Sequence, residues 1–373
     1  MNCKLGRMLA GHWQDFKVAE LSADEAQSHF ADWRDLSASA IQPAGYNAPD
    51  LILPLLKHIG DAKLITVRHG PDLLMAFPVS SKRLFVKTWD TPLTASGLPH
   101  LNAELGASTL LAFINAQTQP VLLTAIPAQG AFMETLKKQS ANFRIVQTWQ
   151  RAALKPVGAF EDWLQTNFDQ KRRKEFKRLR NRLSEQGAMI TETLKQGQDP
   201  KPFIEDLLSL ESKGWKGSGG TAIASNSKLK LAVQEACAKL HQSNKLRFWS
   251  LKLDGKSIAC LFAIVEGDQA WLGKIAYDES FAKYSPGVQI ILDSTEALFS
   301  ETQIKQIDSS AIPNHPMIDR IWRDRVEMVN VFVASSSISK LKFNTIVKLE
   351  QQRVHWRGLA RDLYYKLKGQ HRS

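Results

Sequence analysis

The sequence predicts a mixed α/β fold, an α+β mixed sheet in two similar units joined by a basic helix. Three observations carry that prediction. Residues 248–277 read as three consecutive strands, followed by a helix that opens on Tyr284-Ser285-Pro286-Gly287. Strand-length apolar runs alternate with amphipathic stretches through the N-terminal half as well. Between the halves lies a helical segment dense in Lys and Arg. At 373 residues the chain also exceeds the usual size of one hydrophobic core.

In chain order, residues 24–37 and 48–58 have helical spacing. Residues 63–68 and 73–79 read as strands around the turn signal His69-Gly70-Pro71-Asp72. A helix at 107–117, a strand at 121–125, a helix at 131–139 and a strand at 143–148 complete the first unit. Residues 160–186 then read as one helix with an apolar stripe of Leu164, Phe168, Phe176, Leu179 and Leu183, stopped by Gly187. The second unit begins with a strand at Met189–Thr193 and helices at 202–212 and 228–241. Its strand 248–253 ends on Asp254-Gly255, a hairpin signal. The run SIACLFAIVE (257–266) is apolar enough for a strand buried on both faces. Gly267-Asp268 turns the chain into a third strand, 270–277.

The next helix has Ser285 as its expected N-cap, Pro286 at its first position and Gly287 leaving room for close approach. Val288, Ile291, Leu292, Leu298 and Phe299 share one face. A short strand (303–307), a helix (316–325) and a last strand (329–333) follow. The expected division is 1–155, a linker helix at 156–187, 188–335, and a helical tail at 336–373.

The resulting order, β-α-α-β-β-β-α-β-α-β, resembles the GNAT acyltransferases. The stretch from Tyr277 to Gly287 reads YDESFAKYSPG and is similar to the YDxxFAxYSPG signature of CelD-like GNAT proteins, which are linked with envelope or exopolysaccharide biosynthesis. Trp215-Lys216-Gly217 resembles that family's WKG element. Two such units side by side resemble the Fem-type peptidyltransferases, which use aminoacyl-tRNA. The resemblance implies a tandem GNAT-like fold and transfer of an acyl group, with acetyl-CoA or another acyl-CoA as co-substrate. The acceptor it implies is an amine-bearing small molecule or glycan precursor.

Acyl transfer from a thioester to an amine needs a donor that polarises the carbonyl, a base for the amine and an acid for the thiolate. The third strand would supply a backbone donor near Ile275. Gly273, mid-strand, marks a bulge, or makes room for an aromatic such as Trp271. Ser285, Pro286, Gly287 and Val288 would hold a pyrophosphate at the helix start, with Lys283 as a counter-charge; the same residues would also make a plain cap. Tyr284 and Tyr277 are the acid candidates. Asp308, where relatives resemble "fDfg", would orient the amine or act as base, or is a turn residue. His315 is a candidate base and otherwise polar surface. Asn314, Trp215 and Lys216 would contact acceptor or carrier; Asp278 and Glu266 are weaker carboxylate candidates. The family's Tyr-Lys pair is missing here, leaving Arg320 as a stand-in for the lysine.

The net charge of +12 is concentrated in two segments. Between Lys171 and Arg182 eight basic residues face only Glu175, and the C-terminal 34 residues hold nine Lys and Arg against Glu350 and Asp362. Each segment suits tRNA or an anionic membrane surface, or is simply a solvated helix face. Cys3, Cys237 and Cys260 are scattered, so neither a disulfide framework nor a zinc site is expected. With no signal peptide and no spanning run, the expected compartment is the cytoplasm, with contact to the inner membrane from its inner side.

Overall fold

The computed structural model describes residues 15–214 and 223–367, with side chains described up to residue 360. The N-terminal half runs β1 (Phe16–Leu21), α1 (Ala23–Gln27), α2 (Phe30–Ala38), α3 (Pro49–Ile59), β2 (Lys63–His69), β3 (Asp72–Ser81), β4 (Val86–Thr88), β5 (His100–Leu101), α4 (Gly106–Ala116), β6 (Val121–Pro127), α5 (Ala131–Gln139) and β7 (Asn142–Leu154). Helices α6 (Phe160–Asn167) and α7 (Gln170–Ser184) connect it to β8 (Met189–Thr193), α8 (Lys201–Lys213), α9 (Ser227–Gln242), β9 (Leu246–Leu253), β10 (Lys256–Glu266) and β11 (Gln269–Tyr277). The chain ends with α10 (Pro286–Phe299), β12 (Gln306–Asp308), β13 (Asp324–Ala334) and α11 (Lys340–Leu367).

All described strands belong to one sheet, ordered β1-β2-β3-β4-β6-β13-β7-β12-β11-β10-β9-β8, with β5 beside β3. The order is symmetric about the β13–β7 pair. On one side β4 runs parallel to β6; on the other β11 runs parallel to β12. Each half lends its last strand to the other: β13 pairs with β6, and β7 pairs with β12. Every other neighbouring pair is antiparallel.

The core follows the same plan. On one face a single apolar cluster joins Trp33 and Leu51–Leu56 of the N-terminal half to Phe203, Ala232, Leu240 and Trp271. On the other face of the C-terminal strands, α6, α7 and α10 pack through Trp163, Phe176, Ile290 and Ile291 onto Leu251, Leu261 and Leu272. Ser257–Glu266 is buried throughout, as its unbroken apolar run requires. A buried polar clamp also ties the halves. Lys245 donates to Glu266 at 3.1 Å, Glu266 meets His100 at 3.2 Å, and Trp33 donates to His100 at 3.0 Å. Burial opposes the charge on Glu266, but His100, Lys245 and Ser37 outweigh it and hold the carboxyl below its ordinary range.

Several local expectations are corrected. The basic helix is two helices, because Phe168 leaves the helical path to pack against Trp163 and Phe176, and Asp169 restarts it by accepting from the Arg172 N–H at 2.7 Å. The helix expected at 316–325 is only a 3-10 turn, Ile318–Arg320, since β7 recruits the chain from Asp324 onward into a ladder longer than 329–333. The helix expected at 24–37 breaks at Ser28 and His29. The short strand expected at 303–307 forms at Gln306–Asp308. Strands β1, β4 and β5 had no counterpart in the sequence reading. Among its described side chains, helix α11 packs through Phe343, Ile346 and Val347 of its first turns and leaves Trp356 and Leu359 exposed.

Candidate active site

The parallel pairing of β11 with β12 lasts three residues, from Gln269 with Gln306 to Trp271 with Asp308. Beyond that apex the strands part. β11 continues to Tyr277 along β10 alone, and its ladder skips there. Leu272 faces Ala263 and Ile275 faces Leu261, so Gly273 and Lys274 bulge opposite Phe262. The glycine is required by close approach. An added Cβ would stand 2.1 Å from the Phe262 ring, an aromatic on the neighbouring strand, whereas the sequence pointed to Trp271. Bulge and room for an aromatic, posed as alternatives, coexist.

After Tyr277 one 3-10 turn, Glu279–Tyr284, leads into α10. Ser285 stands at the N-cap but does not cap as expected. It adopts a left-handed conformation (φ 55°, ψ 53°), and its side chain makes no cap hydrogen bond. Its carbonyl takes the N–H groups of Val288 and Gln289, and the Gly287 N–H has no backbone acceptor among the described residues. Met317 and Tyr277 close over Gly287, whose Cβ would lie 3.0 Å from the Met317 sulfur. The corresponding helix of the N-terminal half, α4, opens differently: Asn102 accepts from the N–H groups of Glu104 and Leu105. The two halves therefore differ at this helix start.

The other candidates are distributed as follows. Ile275, Tyr277, Lys283, Tyr284, Ser285, Pro286, Gly287 and Val288 gather around the α10 start. Lys283 lies over the Tyr284 ring at 4.9 Å, and both line a small recess with Arg182, Glu185 and Gln186 of the α7 end. Tyr277 instead faces the helix start itself. The His315 Nδ1 accepts from the N–H groups of Met317 and Ile318 at 3.3 and 3.4 Å and so caps the 3-10 turn. Asn314 and Arg320 are exposed on the same loop. Asp278 caps the preceding turn, and its bonds from Ser280 lower its pKa. Trp215 and Lys216 lie outside the described residues.

Asp308 sits apart from this group, at the apex and largely buried. Its Oδ2 lies 2.6 Å from an Arg151 Nη2, outside good hydrogen-bond geometry, and its Oδ1 accepts from the Ser310 N–H at 2.8 Å. Arg151 comes from β7, the strand lent by the N-terminal half. Tyr46, also from that half, donates to the Leu272 carbonyl at 2.8 Å, beside the bulge. Burial pushes the Tyr46 phenol well above its ordinary pKa, so it stays a neutral donor. Sequence reasoning missed both residues. A trace existed for Arg151, a lone cation entering the apolar Ala152-Ala153-Leu154 run, but its partner is 157 positions away in the chain.

Comparisons with known proteins fit this geometry. Residues 170–312 match the family model described as Acetyltransferase (GNAT) domain. That segment is similar to a GNAT acetyltransferase domain, and the protein is a transferase. Its solved structural neighbours include L-PGS from Bacillus licheniformis, at TM-score 0.54 and 10% identity over 87% of this chain and 96% of that one. The C-terminal domain of a protein described as a lysylphosphatidylglycerol synthetase from Agrobacterium fabrum matches at 0.54 and 12% identity, over the same shares. FemX matches at 0.52 and 10% identity, over 85% of this chain and 96% of that one. At these identities the likeness concerns the fold, which is tandem GNAT-like. No curated protein matches the chain by sequence. Among the described residues there is no cluster able to hold a metal ion and no helix long and apolar enough to cross a membrane.

Proposed function

We propose that the C-terminal half moves an acyl group, in the simplest case acetyl, from acyl-CoA to an amine of an envelope or polysaccharide precursor. The observation that supports this most strongly is the parting of β11 and β12 at Trp271 and Asp308, with a bulge on one strand and the uncapped start of α10 directly after it. The bulge turns backbone donors of β11 toward the gap, where they can polarise a carbonyl. The Gly287 N–H, the helix dipole and Lys283 offer the carrier's pyrophosphate a favourable end.

In the transfer, the amine nitrogen bonds to the thioester carbon and the C–S bond breaks. The amine loses one proton and the leaving thiolate takes one up. Tyr277, against the helix start, is the better placed donor to the thiolate; Tyr284 points toward α7. Asp308 accepts from the Ser310 N–H on Oδ1 and pairs with the Arg151 charge at Oδ2, and it keeps lone pairs free to orient the amine. In this reading, acetyl-CoA raises the melting temperature and Gly287→Trp removes the rise. No rise with any acyl-CoA up to about 1 mM, the upper end of ordinary KM values, would refute it.

A second reading takes aminoacyl-tRNA as the donor, as in Fem-type enzymes. The observation favouring it is the exposed basic face of α7, which packs beside the 279–284 turn on the carrier side. That reading requires tRNA binding with a steep salt dependence. The basic face of α11, with Trp356 and Leu359 exposed beside it, supports contact with an anionic membrane surface.

A further inference from the structure

On the sheet face opposite α10, the two halves enclose a cavity of about 680 Å³ that ends at the same apex. Its floor is made by Trp271, Tyr46, Arg151 and Asp308, each no more than 5% exposed. Buried polar atoms are normally satisfied, yet here the Arg151 Nε and the Gln42 Oε1 have no partner. Gln42 is held at the wall because Gly130, at φ 112°, has no Cβ to displace it; one would stand 2.6 Å from the Gln42 Oε1. Both atoms belong to side chains of the lining, although each atom is itself buried beneath the cavity surface.

The lining indicates which ligand. Five glutamines surround it, at 42, 129, 150, 269 and 306. Neutral amides that both donate and accept suit hydroxyl groups, which do the same. Trp271 supplies an apolar wall of the kind a sugar ring packs on. Four carboxylates face three cations; Arg151 pairs with Asp308, and Lys305 from outside the lining meets Asp268 at 3.6 Å, so the lining is close to neutral, which suits a hydroxyl-rich ligand better than a multiply charged one.

We propose that this cavity is the acceptor site and that it takes an amino sugar, with the amine directed to Asp308 at the apex. This rests on the acyl-transfer reading above and deepens it. Carrier and acceptor then approach from opposite faces and meet where β11 leaves β12. Arg151 and Tyr46 act as positioning residues supplied by the N-terminal half, Arg151 holding the Asp308 carboxylate and Tyr46 holding the β11 carbonyl beside the bulge. The N-terminal half thus completes the site without needing a carrier pocket of its own.

The test is saturation-transfer NMR on the full chain with glucosamine, glucose and free lysine as probes, alongside acetyl-CoA binding on the same samples. Glucosamine is expected to bind, with glucose and lysine each at least about fivefold weaker, the value of one lost hydrogen bond or more. The double variant Gln150→Ala/Gln306→Ala, on wall positions that need no repacking, is expected to weaken glucosamine at least about fivefold and leave acetyl-CoA binding unchanged. Asp308→Asn should weaken glucosamine and not glucose. Absence of glucosamine binding while acetyl-CoA still binds overturns the acceptor proposal and leaves the carrier reading standing. Equal binding of lysine and glucosamine, or glucosamine binding indifferent to the glutamines, also overturns it. Glucosamine binding without acetyl-CoA binding supports this site and removes the carrier reading instead.

Discussion

Replacing Gly273 by alanine tests the bulge at the centre of the site. The new methyl would start 2.1 Å from Phe262 Cε2 and 2.4 Å from its Cζ, far inside contact distance. Phe262 cannot swing away cheaply, being 5% exposed and stacked on Phe248 with ring centroids 6.0 Å apart. Overpacking of this kind costs about 1–3 kcal/mol. Phe262→Ala alone, which empties the space, should cost about 3–5 kcal/mol. In the double variant the methyl added at position 273 meets no ring, so the combined cost should fall below the sum by about 1–3 kcal/mol. Urea unfolding followed by tryptophan fluorescence measures all three. Costs that add to within about 0.5 kcal/mol, or a Gly273→Ala that is neutral, would refute the packing argument for the glycine.

Other consequences can be checked separately. Arg151→Met leaves Asp308 as a buried uncompensated charge and should cost about 3–5 kcal/mol by denaturant unfolding, while Arg151→Met/Asp308→Asn recovers most of the loss. Tyr277→Phe should lower kcat about 10²-fold or more and Tyr284→Phe should not, read from acetyl-CoA consumption with an amine acceptor. Glu235 of α9 meets His58 at 2.8 Å and Lys57 at 2.9 Å on α3; burial opposes its charge, but these partners prevail and bring its pKa from 4.5 down to about 2. A depressed carboxylate adds stability that is whole above the unfolded pKa and fades as pH falls through the folded one. Acid unfolding should therefore lose this contribution between pH 4.5 and about 2, and Glu235→Gln should flatten that part of the curve. If tRNA is the donor, changing Arg172, Arg173, Lys177 and Arg178 to alanine should reduce the salt slope of binding by about three to four, measured by filter binding across salt concentrations.

Much of the C-terminal half was legible in the sequence because its signals are local. Apolar runs bounded by Asp254-Gly255 and Gly267-Asp268 place β9, β10 and β11 to within two residues, and Ser-Pro-Gly places the start of α10 at Pro286. Features set by partners distant in the chain were not legible. β4 has three residues and β5 two, too few for any period, and they exist because β6 and β3 pair with them. The exchange of β7 and β13 leaves no local trace, since either strand would read the same in its own half. Asp308 lies at a strand end, as its place in the sequence indicates, but its engagement with Arg151 depends on that exchange. Ser285 looks like a cap by type and position; its left-handed backbone turns the hydroxyl away, which residue type does not reveal. The glutamines around the interhalf cavity are spread over more than 250 positions and form a pattern only in space.

Titration calorimetry of acetyl-CoA into the full chain, wild type beside Gly287→Trp, tests the carrier site most directly, with circular dichroism confirming that the variant is folded. Saturable wild-type binding with a Kd below about 1 mM, lost in the folded variant, is the result expected of a carrier held at the α10 start. No wild-type binding at that concentration, or binding that the tryptophan leaves intact, would contradict it.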